Sequence, residues 1–249
     1  MTPIRSAALL AALFLALPVA NAQSPVDGPG RYQRCLDLVE ERPEQALGEA
    51  DAWEVEGGGN LARHCAATAM VALGRAQEGA RNLVDLAKEL AEIDPALSAR
   101  LAIQGGRAWR EAGDAVEAKA AFGLALEVDP ENREALTERG WTSAWAEDYV
   151  AAIEDFTAAL RLAPGDPDLL RNRAAAHRFL GDYGPALRDI EQALAADPDN
   201  AGSYLERGNI RRLAGDLPGA KADWRRVIEI APGTEAAAAA DANLQRTGG

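Results

Sequence analysis

Four prolines, Pro130, Pro164, Pro198 and Pro232, stand 34 residues apart, and the residues between them repeat as well. A fixed period of that length means a stack of copied supersecondary units, which settles the architecture before any chemistry is sought. Each proline closes a stretch of helical periodicity, since its nitrogen has no hydrogen to donate and its ring clashes with the preceding turn. Twelve residues earlier stands a small residue (Ala118, Ala152, Ala186, Ala220), and eight earlier a large apolar one (Phe122, Phe156, Ile190, Trp224). Five earlier stand Ala125, Ala159, Ala193 and Val227. Sixteen earlier there is always an aspartate, Asp114, Asp148, Asp182 and Asp216, and three of these follow a glycine. That pattern is a turn with an N-cap, so a second helix is expected to open at each aspartate.

The first helix of each unit carries Gly106, Gly140, Ala174 or Gly208 where it is expected to cross the second, small residue against small residue. The run Ala118, Phe122, Ala125, Pro130, repeated as Ala152, Phe156, Ala159, Pro164, resembles the tetratricopeptide repeat over residues 99 to 232. It departs from the pattern early in the first helices, where Ala102, Leu136 and Leu170 replace an aromatic that only Tyr204 keeps. The resemblance implies an all-α, right-handed α-α superhelix, with the first helix of every unit lining a concave face. A single pair cannot bury its apolar face, so stability is expected from stacked neighbours.

Upstream the pattern loosens. Tyr32, Cys35, Leu36 and Val39 share one helical face, Pro43 to Trp53 reads as a second helix, and Leu61 to Leu73 followed by Ala80, Val84 and Ala87 reads as another pair. The expected organisation is a signal peptide at 1–22, a linker at 23–29 and two divergent pairs at 30–96. Four regular units follow at 97–232, then a capping helix opened by Thr234 with a frayed tail at 233–249. That makes about six helix pairs plus a cap.

Arg5 precedes an apolar run from Ala7 to Leu17, and Ala20-Asn21-Ala22 offers small residues for cleavage between Ala22 and Gln23. The run is too short to span a bilayer comfortably, which favours a cleaved export signal and a periplasmic or secreted chain with no integral membrane segment. In such an oxidising compartment Cys35 and Cys65, each on the inward side of a first helix, are expected to form a disulfide. Closing a loop of about 30 residues contributes roughly 3 to 4 kcal/mol. A metal or redox role is the weaker reading, because there is no Cys-x-x-Cys and adjacent helical residues such as His64 and Cys65 point about 100° apart.

Nothing else in the sequence carries chemistry: no catalytic residue, metal site or cofactor is assigned. His177 reads as a partly buried packing residue, and Gly57-Gly58-Gly59 lacks the Lys-Ser/Thr of a phosphate loop. Glu154-Asp155 and Glu40-Glu41 read as solvated helix faces. A net charge of −13 opposes nucleic-acid binding. Yet the first helices of the regular units are rich in arginine. By the resemblance, groove-facing rows run through Arg107, Trp141, Ala175 and Asn209 and through Arg110, Ala144, Arg178 and Arg212, with Gln104, Thr137, Arg171 and Asn172 nearby and Trp145 at the edge. Arginine forks hold carboxylates and tryptophan anchors apolar groups, so the rows suit an extended acidic and apolar peptide and are expected to serve binding rather than folding. The competing reading has the tryptophans packed between repeats and the arginines paired with Glu134, Glu138 and Glu206. The expected function is a non-catalytic periplasmic protein-interaction adaptor. An accessory subunit of an envelope enzyme and a homo-oligomeric structural protein are the alternatives.

Overall fold

The computed structural model describes residues 28 to 248, so the expected signal peptide and most of the linker lie outside the described residues. Among these residues every regular element is an α-helix, and consecutive helices pair. The pairs are α1 (Gly28–Glu41) with α2 (Pro43–Val55), α3 (Gly59–Ala72) with α4 (Ala76–Leu90), and α5 (Pro95–Glu111) with α6 (Ala115–Val128). They continue as α7 (Arg133–Trp145) with α8 (Tyr149–Leu162), α9 (Pro167–Leu180) with α10 (Tyr183–Ala196), and α11 (Ala201–Leu213) with α12 (Leu217–Ile230). A last helix, α13 (Glu235–Arg246), opens with the Thr234 hydroxyl accepting from the Ala237 amide and packs on both α11 and α12.

The period in sequence becomes a period in hydrogen bonds. Asp114, Asp148 and Asp216 accept from the amides of Glu117, Ala151 and Gly219, which satisfies donors that the first turn leaves open. Asp182 is the exception to the expected series: its side chain makes no cap bond and lies 3.8 Å from His177 Nδ1. A second series caps the first helices, with Asn132, Asp166 and Asn200 accepting from Ala135, Leu169 and Ser203.

The crossing of each pair differs from the expected contact of small against small. A Cβ built on Gly140 would lie 2.8 Å from the Phe156 ring, and one on Gly208 2.6 Å from Trp224, so the glycine makes room for the large residue of its partner helix. In the α9–α10 pair Ala174 takes the glycine position and the smaller Ile190 the ring position, so added volume on one helix meets reduced volume on the other. All four large residues are at most 1% exposed.

At the N-terminal end the disulfide forms between Cys35 of α1 and Cys65 of α3, across a sequence separation of 30. Around it lie Val39, Ala46, Ala50, Ala66 and Ala69, a core made mostly of small side chains.

Candidate partner-binding face

Two ladders of ion pairs run through the regular units, and neither is a solvated charge run. The first ties each first helix to its own second helix: Arg139 to Asp155, Arg173 to Asp189 and Arg207 to Asp223, each with two hydrogen bonds of 2.6 to 3.0 Å. The aspartates are at most 7% exposed. Asp155 is therefore a buried, bidentately held carboxylate, not the solvated residue expected. The sequence carried the signal, since both the arginines and the aspartates recur at 34 residues.

The second ladder joins neighbouring first helices. Arg107 bonds to Glu134 and Glu138, Arg110 to Glu138, and Arg178 to Glu206 at 2.6 Å. Glu138 and Glu206 are both withdrawn from water, with side chains 6% and 13% exposed. Three of the expected groove arginines are thus committed to holding α5 to α7 and α9 to α11. Reversing their charge would set glutamate beside buried glutamate, so the expectation that these charges do not support the fold is corrected.

Between those two rungs, from α7 to α9, the rung is missing. Shifting Arg110 and Glu138 by one period gives Ala144 and Asn172, and shifting once more restores Arg178 and Glu206. In the gap a pocket of about 420 Å³ opens, lined by Trp141, Ala144, Trp145, Asn172 and Phe179 and floored by Phe156. Trp141 is 42% exposed, and Trp145 and Phe179 are each 55% exposed. Neither tryptophan is sealed between repeats. Asn172 Nδ2 is buried and has no hydrogen-bond partner, one of five such atoms among the described residues and the one that lines this pocket. An unpaired buried amide costs roughly 1 to 3 kcal/mol, so the site is disposed to accept a carbonyl or other acceptor.

Trp141 also borders a second hollow of about 300 Å³, lined by Arg107, Arg133, Thr137 and Glu138. The two hollows share one indole and form a track across α5, α7 and α9. The remaining expected residues are less available. Gln104 accepts from His64 Nε2 at 2.7 Å and donates to Thr68, in a network that also joins Tyr32 to His64 Nδ1. Burial holds the His64 imidazole below its ordinary pKa, against the opposing pull of the Gln104 bond. Arg171 pairs with Asp168, and Asn209 accepts from Asn243. Arg212 is exposed and makes no ion pair among the described residues, where the position one period after Glu206 is Ala240.

No protein-family model and no curated protein matches the sequence. Solved structures do match. Pseudomonas aeruginosa PilF superposes with a TM-score of 0.61 at 19% identity, covering 86% of this chain and 96% of its own. MamA from Desulfovibrio magneticus RS-1 gives 0.59 at 20% identity, covering 68% of this chain and 93% of its own. The chain folds as a tetratricopeptide-repeat protein. No described helix is long and apolar enough to cross a membrane, and no three described His, Cys, Asp or Glu side chains are grouped to hold a metal ion.

The sequence places Trp141 on a groove row as an apolar anchor, Trp145 at its edge and Asn172 nearby, but does not join the three in one pocket. The signal lay in a comparison between units: the residues that break the repeat at Ala144 and Asn172 border the same pocket.

Proposed function

We propose that this chain is a non-catalytic periplasmic adaptor that holds an extended segment of a partner protein across its first-helix face. The apolar part of one partner side chain fills the pocket between α7 and α9, and the segment continues into the adjoining hollow, where Arg107 and Arg133 are paired with Glu134, Glu138 and Asp166. The missing rung carries this reading. A repeat array built only for stability has no reason to drop an ion pair, expose three large aromatic side chains and orphan an amide at one place. Export rests on the residues before Gln23 and on the disulfide, which persists in oxidising compartments.

A photoreactive amino acid placed at Trp145, with a control at Val116 on α6, tests the face in periplasmic extract. The expected result is one partner segment, mapped by mass spectrometry, cross-linked from position 145 and not from 116. Equal labelling from both positions sinks the proposal. Amino-terminal sequencing of the same material is expected to begin at Gln23.

A further inference from the structure

Three breaks in the repeat meet at the pocket between α7 and α9, and the third is a charge. Where the other regular units turn through Gly113, Gly181 and Gly215 at positive φ, this unit has Glu147 at φ 61. It is the one non-glycine residue in that region among the described residues, and its side chain lines the pocket. A left-handed conformation for a residue with a Cβ costs roughly 1 to 2 kcal/mol, and such outliers gather where a site uses them. The only charged residue lining this pocket is that carboxylate.

The tryptophans point the same way. Elsewhere the chain covers aromatic faces with its own guanidinium groups, Arg31 over Trp53 at 5.3 Å, Arg81 over Trp109 at 6.0 Å and Arg207 over Tyr204 at 5.1 Å, and on the pocket wall Arg178 covers Phe179 at 4.1 Å. Trp224 is wholly buried. Trp141 and Trp145 are the two exposed tryptophans, and among the described residues no cation lies over either ring. Indole is the best of the aromatic faces for a cation. Arg178 stands nearby, but its charge is met by Glu206 at 2.6 Å.

We infer that the pocket takes an arginine or lysine side chain of an extended peptide, with its stem against Trp141 and Trp145, its cationic head at Glu147 and its backbone carbonyl accepting from Asn172. This rests on the peptide-groove reading and names the residue that the groove selects. A net charge of −13 favours approach of a cationic segment, and the carboxylate beside two π faces favours its head group.

The test uses the full chain with 15N-labelled indoles and three acetylated, amidated pentapeptides of alanine whose central residue is arginine, citrulline or leucine. The arginine peptide is expected to shift the indole signals of Trp141 and Trp145, assigned through Trp→Phe variants, and to bind about threefold to tenfold tighter than the citrulline peptide. Glu147→Gln is expected to reduce that preference while leaving the citrulline peptide unchanged, since the indoles remain to attract the cation. Asn172→Ala is expected to weaken both peptides alike. If the leucine or citrulline peptide shifts the same indoles as strongly as the arginine peptide, the groove reading stands and the cation inference is overturned. Arginine preference that is undiminished in Glu147→Gln overturns it as well. If no peptide moves either indole, the inference and its groove at this pocket fall together.

Discussion

The first helix pair and the four regular units solve the same packing problem by different means. In the regular units a ring or large aliphatic group from the second helix drops into a space left by a small residue on the first, and three of the four add a buried arginine–aspartate pair. Around α1, α2 and the start of α3 the disulfide is surrounded by Val39, Ala46, Ala50, Ala66 and Ala69, and one large side chain, the wholly buried Trp53, packs against Gly58. Small side chains bury little area each, at about 25 cal/mol per Å². A covalent bond there restricts the unfolded chain instead. The lesson is that the regular units repeat one set of native contacts, whereas the first unit combines a single buried tryptophan with a constraint on its unfolded state.

The sharpest way to break that comparison is Phe156→Ala, which empties the space under Gly140 and is expected to cost about 3 to 5 kcal/mol in urea unfolding. A loss below about half a kcal/mol would falsify the assigned register. Cys35→Ser is expected to cost about 3 to 4 kcal/mol, but locally. Amide exchange is expected to accelerate in α1 and α2 while α7 to α12 keep their protection, because repeat arrays couple mainly through neighbouring interfaces. Uniform loss of protection across the chain would show that the disulfide serves the whole solenoid.

A third variant separates the ion pair from the shape around it. Asp189→Ala leaves Arg173 without its bidentate partner. With those side chains 10% and 21% exposed, the expected cost is about 2 to 3 kcal/mol, less than for a wholly buried pair. Replacing both, Arg173→Leu with Asp189→Leu, is expected to recover most of that loss, since an apolar pair of suitable volume often matches a buried ion pair. The chain already contains such a version: the unit of α5 and α6 has Gly105 and Ala121 at these positions. Failure of the double variant to recover stability would mean that the ladder aligns the helices in a way that volume alone does not.

The solenoid was legible in sequence because its determinants are periodic. Prolines, caps and the small and large residues recur in register, and backbone chemistry translates each directly into a helix end or a crossing. Asp182 escaped because a cap depends on where the carboxylate turns, and here it turns toward His177. Pairing of the arginine rows with Glu134, Glu138 and Glu206 stood in the sequence as the competing reading, and charge type alone did not decide for it: these glutamates lie one helix away, and only stacking places Glu138 and Glu206 under Arg110 and Arg178. The pocket was half legible. Trp141, Trp145 and Asn172 were marked, whereas Ala144 and Glu147 are informative only as departures from their equivalents in other units.

The smallest effect bears most directly on that pocket. Glu147→Gly restores the glycine that the other regular units use in this turn, and removing the left-handed strain is expected to raise stability by about 0.5 to 1 kcal/mol after the added flexibility of the unfolded chain is deducted. Glu147→Ala keeps a Cβ at the same φ, so it is expected to leave stability near that of the parent. The difference between the two variants isolates backbone strain from loss of the carboxylate. Equal midpoints in urea would mean that the turn holds glutamate at no cost, and the unit would then differ from its neighbours only in surface chemistry. A more stable glycine variant would mean that the regular array gives up stability at the very turn that brings a carboxylate to Trp141 and Trp145, which is the trade expected of a site kept for binding rather than for folding.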